Sequence, residues 1–159
     1  MSYKIEFEKV LKYCEGNIGL NICCGNTILK NSIGVDIDKN KKGAVILASA
    51  WDLPIIDNSI DYIVCMAGIE HLDRSLQTIL KEWRRVLKVG GRCIITTPEG
   101  SVIKSDWALA KCPDHISLFT LPQLKLHFTV AGFQVEVAEE INRMPKSENP
   151  TILVVAKKG

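Results

Sequence analysis

The sequence of 159 residues predicts an α/β fold, in which a mostly parallel sheet of seven strands ends in an antiparallel hairpin. Two observations lead to this prediction. Short apolar runs recur along the chain at lengths typical of buried strands. Longer segments between them have apolar residues every three or four positions, which indicates amphipathic helices. We expect a single domain, residues 1–159, because a chain of this length can bury most of its apolar surface.

The first element is a helix, indicated by apolar residues at Phe7, Val10, Leu11 and Cys14 and closed by Gly16. Five apolar runs then predict buried parallel strands: Leu20–Cys23, Ile33–Val35, Ala44–Ala48, Tyr62–Met66 and Arg92–Thr96.

A second helix follows the fourth strand, with Asp73 as its expected N-cap and Gly90 as the residue that ends it. Its apolar face consists of Leu76, Ile79, Leu80, Trp83, Val86 and Leu87. A third helix begins at Thr120, a capping residue. Phe133–Ile141 and Thr151–Ala156 predict the final hairpin.

Two connections in the first half of the sheet are unusually short. Only residues 26–32 and 37–43 separate the first three strands, whereas a parallel crossover normally takes a dozen residues or more, usually as a helix. One face of the sheet therefore lacks two covering helices. One interpretation is that the helix Phe7–Cys14, or a second subunit in a two-fold homodimer, covers this face. The other interpretation is that the shortened loops lie over it.

The first strand ends close to Gly25 and the second ends at Asp36, a layout that predicts a nucleoside-binding site. A glycine beyond the first strand lets ligand atoms approach the backbone, and an acid at the tip of the second can hydrogen-bond both ribose hydroxyls. A dinucleotide fold would need three glycines and an acid about 20 residues further on. Here one glycine remains and the acid follows 11 positions later, which favours S-adenosyl-L-methionine, a cofactor without phosphates.

Four downstream segments follow in the order and spacing of the class I S-adenosylmethionine-dependent methyltransferases: Asp52–Val64, Ile69–Leu72, Glu82–Arg92 and Ile94–Glu99. From about Gly19 to Ala156 the chain resembles the small type 11-like branch of that family. The resemblance implies a Rossmann-like sheet with trimmed helices on one face, methyl transfer to a small-molecule acceptor, and S-adenosyl-L-homocysteine as product.

The resemblance also implies which residues hold the cofactor. Asn21, Cys23 and Gly25 would line the methionine moiety, Asp36 would hold the ribose, and Ile37 would flank the adenine. The turn Ser49, Ala50 and Trp51 would contact the adenine edge, and Met66 completes the expected set. The chain departs from the family pattern in its first glycine motif, at Val89 in place of a proline, and at Ser49 in place of an acid.

Three residues are candidates for catalysis: Glu70, His71 and His115. Glu70 and His71 follow the fourth strand, at the edge where open α/β sheets place their ligands. They would form a wall of the acceptor pocket or supply a base, although a structural role at a helix start is equally consistent with the sequence. In the resembling family a histidine at the position of His115 often faces the acceptor. The stretch Pro98–Leu118, which includes Trp107, is long for a loop and is expected to form a lid.

Composition points to a cytoplasmic enzyme. No apolar run approaches a membrane span, and the first residues lack the apolar core of a signal peptide. A net charge of +2 does not predict a nucleic-acid surface. The six cysteines form no CxxC pair, and Cys23, Cys65 and Cys93 fall in predicted buried strands, so neither disulfides nor a metal is expected.

Two other functions fit the sequence less well. A degenerate cofactor-binding domain, serving as a partner or regulatory subunit, is suggested by the altered glycine motif and the trimmed helices. A nucleotide-dependent oxidoreductase is disfavoured by the missing GxGxxG.

Overall fold

The computed structural model describes residues 4–100, 114–141 and 150–159 of the chain. Its helices are α1 (Lys4–Leu11), α2 (Leu76–Val86) and α3 (Leu121–Val130), with a short 3₁₀ helix at Ile69–His71. Its strands are β1 (Gly19–Ile22), β2 (Ser32–Asp36), β3 (Ile46–Leu47), β4 (Ile60–Met66), β5 (Leu87–Pro98), β6 (Phe133–Ile141) and β7 (Thr151–Lys158).

The strands form one seven-stranded sheet in the order β3-β2-β1-β4-β5-β7-β6. Strands β1 to β5 are parallel, and β7 runs antiparallel between β5 and β6. The predicted fold class is confirmed, including the C-terminal hairpin. The chain order reverses between β1 and β4, and this is where open α/β sheets leave a crevice at the carboxyl ends of their strands.

Helices α2 and α3 pack on one face of the sheet because their apolar residues fall on one side. Trp83 and Phe128 are fully buried there, against strand residues such as Ile63 and Val154. Helix α1 packs on the opposite face, where Val10 joins a second apolar cluster. The alternation of side chains along each strand supplies both clusters.

The two short crossovers cover the strands beside them directly. A Cβ on Gly34 in β2 would lie 1.8 Å from the carbonyl oxygen of Gly43, so the second loop packs on the strand backbone. That loop is held to the first loop by a hydrogen bond from Gly43 N to Gly25 O at 3.0 Å. Leu29 of the first loop is buried. The interpretation in which shortened loops lie over this face is therefore the one that the structure supports.

Helix α1 lies elsewhere than predicted. Val10 packs with side chains of β4, β5 and β7, such as Val64, Ile94 and Val155, rather than beneath the first three strands. The helix also ends at Leu11, so Gly16 does not close it. The reason is that the loops already fill the space beside β2, which leaves the centre of the sheet as the apolar surface for α1 to cover.

Three details of α2 and β5 correct the sequence-based boundaries. The N-cap is Ser75, whose hydroxyl accepts a hydrogen bond from Thr78 N, and not Asp73. Helix α2 ends at Val86, and Leu87 already belongs to β5. Gly90 has a φ of +82° inside that strand and does not end the helix. Within the described ranges, no helix has the length and apolar character needed to cross a membrane.

Candidate active site

The carboxyl ends of β1 and β2 meet through a carboxylate. Asp36 Oδ2 accepts a hydrogen bond from Gly25 N at 2.9 Å, and its Oδ1 accepts one from Asp38 N at 3.0 Å. These two bonds fix the orientation of the carboxylate. Each oxygen keeps a lone pair, so the group can accept two further hydrogen bonds from a ligand with neighbouring hydroxyls.

The loop after β1 is shaped by residues in the left-handed region. Cys23 and Gly25 each have a φ of +55°. A Cβ on Gly25 would meet nothing within 4 Å, so open space adjoins the backbone there, where a ligand was predicted to approach. The backbone turns at Cys23, so this half-buried residue follows β1, and the prediction that it lies in a buried strand is wrong. Cys65 and Cys93 are buried in strands, as predicted.

A cavity of about 60 Å³ opens beside Asp36. Its lining is mostly apolar and consists of Ile22, Cys23, Val35, Asp36, Ile37, Ala48, Ser49, Ala50, Trp51 and Leu72. The buried indole of Trp83 donates a hydrogen bond to the carbonyl oxygen of Ala50 at 2.8 Å, which fixes the turn formed by residues 49–52. The guanidinium of Arg74 stacks on Trp51 at 4.6 Å from the ring centroid.

Six of the predicted cofactor residues line this cavity: Cys23, Asp36, Ile37, Ser49, Ala50 and Trp51. Gly25 adjoins it through its bond to Asp36. Asn21 and Met66 do not reach it. The amide of Asn21 donates to the Thr27 carbonyl oxygen at 3.3 Å and so braces the loop after β1. Met66 packs with the apolar cluster on the α1 face.

The three catalytic candidates come together at the same sheet edge, in a group that we call the Glu-His-His cluster (Glu70, His71, His115). One donor atom from each lies within 4.8 Å of the other two. Residues 69–71 form the 3₁₀ helix after β4. The carbonyl oxygen of Glu70 accepts hydrogen bonds from Ile116 N at 2.8 Å and Ser117 N at 3.1 Å, which positions the segment that carries His115. The two imidazole rings meet edge to face, with centroids 4.7 Å apart.

Glu70 is the most constrained member of this cluster, since only 2% of its surface is exposed. Its Oε2 accepts a hydrogen bond from the hydroxyl of Thr97 at 3.0 Å. Its Oε1 has no hydrogen-bond partner. Every other buried side-chain nitrogen or oxygen in the described part of the chain has one. Burial raises the pKa of the Glu70 carboxyl above its ordinary value.

The orientation of His71 follows from its neighbours. Its Nδ1 lies 3.1 Å from the carbonyl oxygen of Asp114 and 3.2 Å from Asp114 Oδ2. Both atoms are acceptors, so Nδ1 carries the proton of the neutral ring and Nε2 presents a lone pair. Nε2 lies 3.8 Å from Glu70 Oε1, which is too long for a hydrogen bond.

Sequence reasoning missed a buried acid from α1. Glu6, 2% exposed, accepts a hydrogen bond from the hydroxyl of Thr96, and that hydroxyl also accepts one from Ala67 N at 3.3 Å. The adjacent Thr97, which holds Glu70, was missed as well. Two threonines at the end of an apolar strand were an available signal, but no pattern in the sequence indicated that Glu6 would reach them.

Part of the expected lid lies outside the described residues, namely 101–113 with Trp107. Among the described residues that flank it, Gly100 N donates to the carbonyl oxygen of Phe119 at 2.7 Å, so these two flanking residues lie next to each other.

Comparisons with known proteins show which family and fold the chain shares. The family model for the methyltransferase domain matches residues 9–95. A demethylmenaquinone methyltransferase of Bacillus velezensis is 26% identical over 111 residues, an alignment covering 54% of this chain and 47% of that protein. A ubiquinone/menaquinone biosynthesis C-methyltransferase of Rickettsia typhi is 39% identical over 69 residues, covering 43% of this chain and 27% of that protein. The matched part thus spans less than half the length of these relatives.

Among the solved structures that share the fold are two methyltransferases. A geranyl diphosphate C-methyltransferase of Streptomyces coelicolor, in complex with S-adenosyl-L-homocysteine, has a TM-score of 0.79 at 11% identity, covering 98% of this chain and 79% of that one. A SAM-dependent methyltransferase of Archaeoglobus fulgidus has a TM-score of 0.76 at 21% identity, covering 98% and 92%. At these identities the likeness concerns the fold alone.

Proposed function

The chain belongs to the methyltransferase domain family, and from this premise we propose that it transfers a methyl group from S-adenosyl-L-methionine to a small-molecule acceptor. The observation that carries the proposal is the carboxylate of Asp36, held by Gly25 N and Asp38 N with both oxygens still able to accept. A vicinal diol such as a ribose is the ligand chemistry that fits it.

The cavity beside Asp36 supports the nucleoside assignment. Its apolar walls suit an adenine ring, with Ile37 and Trp51 at its sides. Ser49 lies where the resembling family has an acid, and its hydroxyl can serve as an acceptor in the place of that acid. When bound, the cofactor supplies an electrophilic methyl group, and the protein has to orient the acceptor and exclude water.

The acceptor half of the site is assigned to the Glu-His-His cluster and the expected lid. Leu72 lines the cavity and directly follows His71, so the cluster adjoins the nucleoside half through one short segment. The relatives include quinone methyltransferases, which supports a small organic acceptor. Because His115 is half-buried and Glu70 is buried, the cluster can hold an acceptor group on its open side.

The test combines binding and turnover on the purified chain. Isothermal titration should show one site for S-adenosyl-L-homocysteine and none for NAD, since the glycines that hold a pyrophosphate are missing. Release of S-adenosyl-L-homocysteine is then measured with demethylquinone, phenol and amine pools. A Kd weaker than about 1 mM would contradict the proposal.

A cofactor-binding partner domain is the second candidate, and the altered glycine motif and Ser49 favour it. The same experiment separates the two. Tight binding without turnover on any pool would favour the partner domain, whereas turnover on one pool would exclude it.

A further inference from the structure

The Glu-His-His cluster has the composition of a metal site. Two imidazoles and one carboxylate are the donor set of many catalytic zinc centres and of mononuclear iron sites. The donor atoms lie within 4.8 Å of one another, and Glu70 Oε1 is 3.8 Å from His71 Nε2. Two ligands of a tetrahedral ion at about 2.1 Å would be about 3.4 Å apart, so this pair needs to close by only about 0.4 Å.

The second observation is the buried and unpartnered oxygen of Glu70. A carboxylate oxygen without a partner costs free energy, because it has lost water and gained nothing in exchange. The atom faces His71, whose Nε2 presents a lone pair and cannot donate to it in the neutral ring. A cation between the two atoms would satisfy both of them.

The surroundings of the cluster also match those of a metal site. Metal-bound histidines usually donate their second ring N–H to a carboxylate or carbonyl, and metal-bound carboxylates accept additional hydrogen bonds. Here Asp114 accepts from His71 Nδ1, and Thr97 donates to Glu70 Oε2. These contacts leave Glu70 Oε1 and His71 Nε2, the two atoms that face each other, available as metal ligands.

We propose that Glu70, His71 and His115 bind one divalent transition-metal ion, of which zinc is the simplest representative. Imidazole ligands favour zinc, iron or nickel over magnesium and calcium. Three protein ligands leave coordination positions open, and the cluster is accessible from outside because 35% of the His71 side chain is exposed. Cysteine spacing predicted no metal, whereas Glu70 and His115 are 45 positions apart and give no local signal in the sequence.

The open positions adjoin the proposed acceptor pocket, so an oxygen of the acceptor could complete the coordination. This consequence rests on the proposed function, but the metal site itself does not. A different explanation of the cluster is an imidazolium, in which a doubly protonated His71 lies between Asp114 and Glu70. That arrangement requires no metal, so a binding measurement separates the two explanations.

The experiment is zinc titration of the metal-stripped full chain by calorimetry, without cofactor or acceptor. We expect one equivalent to bind with a Kd of about 10 µM or tighter. Cobalt provides a spectroscopic probe, because its visible absorption reports nitrogen and oxygen ligation. Glu70→Gln, His71→Ala and His115→Ala should each weaken zinc binding at least about tenfold, since even outer contacts of a metal site are worth that much.

His127→Asn is the matched control, since this third histidine of the chain lies outside the cluster and bonds Gln77. It should leave zinc affinity unchanged. Thermal unfolding checks that each variant folds. If Glu70→Gln does not fold, His115→Ala still tests the site, because His115 lies on a half-exposed segment where a substitution disturbs the fold less. Absent zinc binding, or binding that the three cluster variants leave intact, would overturn the site. A chain that binds S-adenosyl-L-homocysteine but no zinc would refute the metal site alone, and the reverse result would refute only the proposed function.

Discussion

Replacing Asp36 by alanine tests the nucleoside half of the site most directly. The carboxylate already accepts one backbone N–H on each oxygen, from Gly25 and Asp38, so each oxygen has room for one ribose hydroxyl. Losing two charge-assisted bonds at this half-buried position should cost about 2–4 kcal/mol. The Kd for S-adenosyl-L-homocysteine should therefore rise by about 30-fold to 900-fold.

Calorimetry measures this effect, with thermal unfolding as a check on the fold. Asp36→Asn keeps one oxygen and should show an intermediate loss. Asp38→Ala is the matched control, because that exposed carboxylate, two positions further on, bonds Asn40 instead of facing the cavity. If Asp36→Ala binds within about threefold of the parent chain, or if Asp38→Ala is equally impaired, the ribose assignment is wrong.

Three further changes test the scaffold. Gly34→Ala places a Cβ 1.8 Å from the Gly43 carbonyl oxygen and should cost about 3 kcal/mol in urea unfolding; an unchanged midpoint would disprove the loop packing. Trp83→Phe removes the indole donor of the turn at residues 49–52, and should lower the free energy of unfolding by about 1–3 kcal/mol and weaken cofactor binding. The pKa of Asp61 is lowered from 3.8 to about 2, mainly by the hydrogen bond from Lys88. The ionised carboxylate therefore stabilises the folded state fully above about pH 4, and this contribution is lost as the pH falls toward 2. Asp61→Asn should remove this part of the acid dependence, as measured by unfolding between pH 2 and 6, and an unaltered profile would argue against the ion pair.

The sequence predicted those features that depend on local periodicity and on strand ends. Gly25 and Asp36 could be placed together because parallel strands of one sheet end at one edge. The N-cap at Thr120 and the final hairpin were likewise encoded in short stretches, and both are confirmed. Such features need no knowledge of packing between distant segments.

The features that the sequence did not predict depend on contacts between distant segments. The choice between loop cover and helix cover was decided by the close approach of Gly34 and Gly43, which periodicity does not encode. The contact of Glu6 with Thr96 joins residues 90 positions apart. Hydrogen bonds from Ile116 N and Ser117 N to the carbonyl oxygen of Glu70 bring His115 next to His71. The sequence indicated each histidine as a candidate separately, but not that the two would meet.

The two halves of the site are joined by a close packing contact at Gly68. A Cβ there would lie 2.7 Å from both Cys23 Cβ and Cys65 Sγ, so the start of the 3₁₀ helix packs directly on the loop after β1. That loop carries the nucleoside half, and the 3₁₀ helix carries Glu70 and His71. Close-packed contacts transmit displacements because no void absorbs them. The contact at Gly68 therefore offers a physical route by which a displacement of the loop could reach the Glu-His-His cluster.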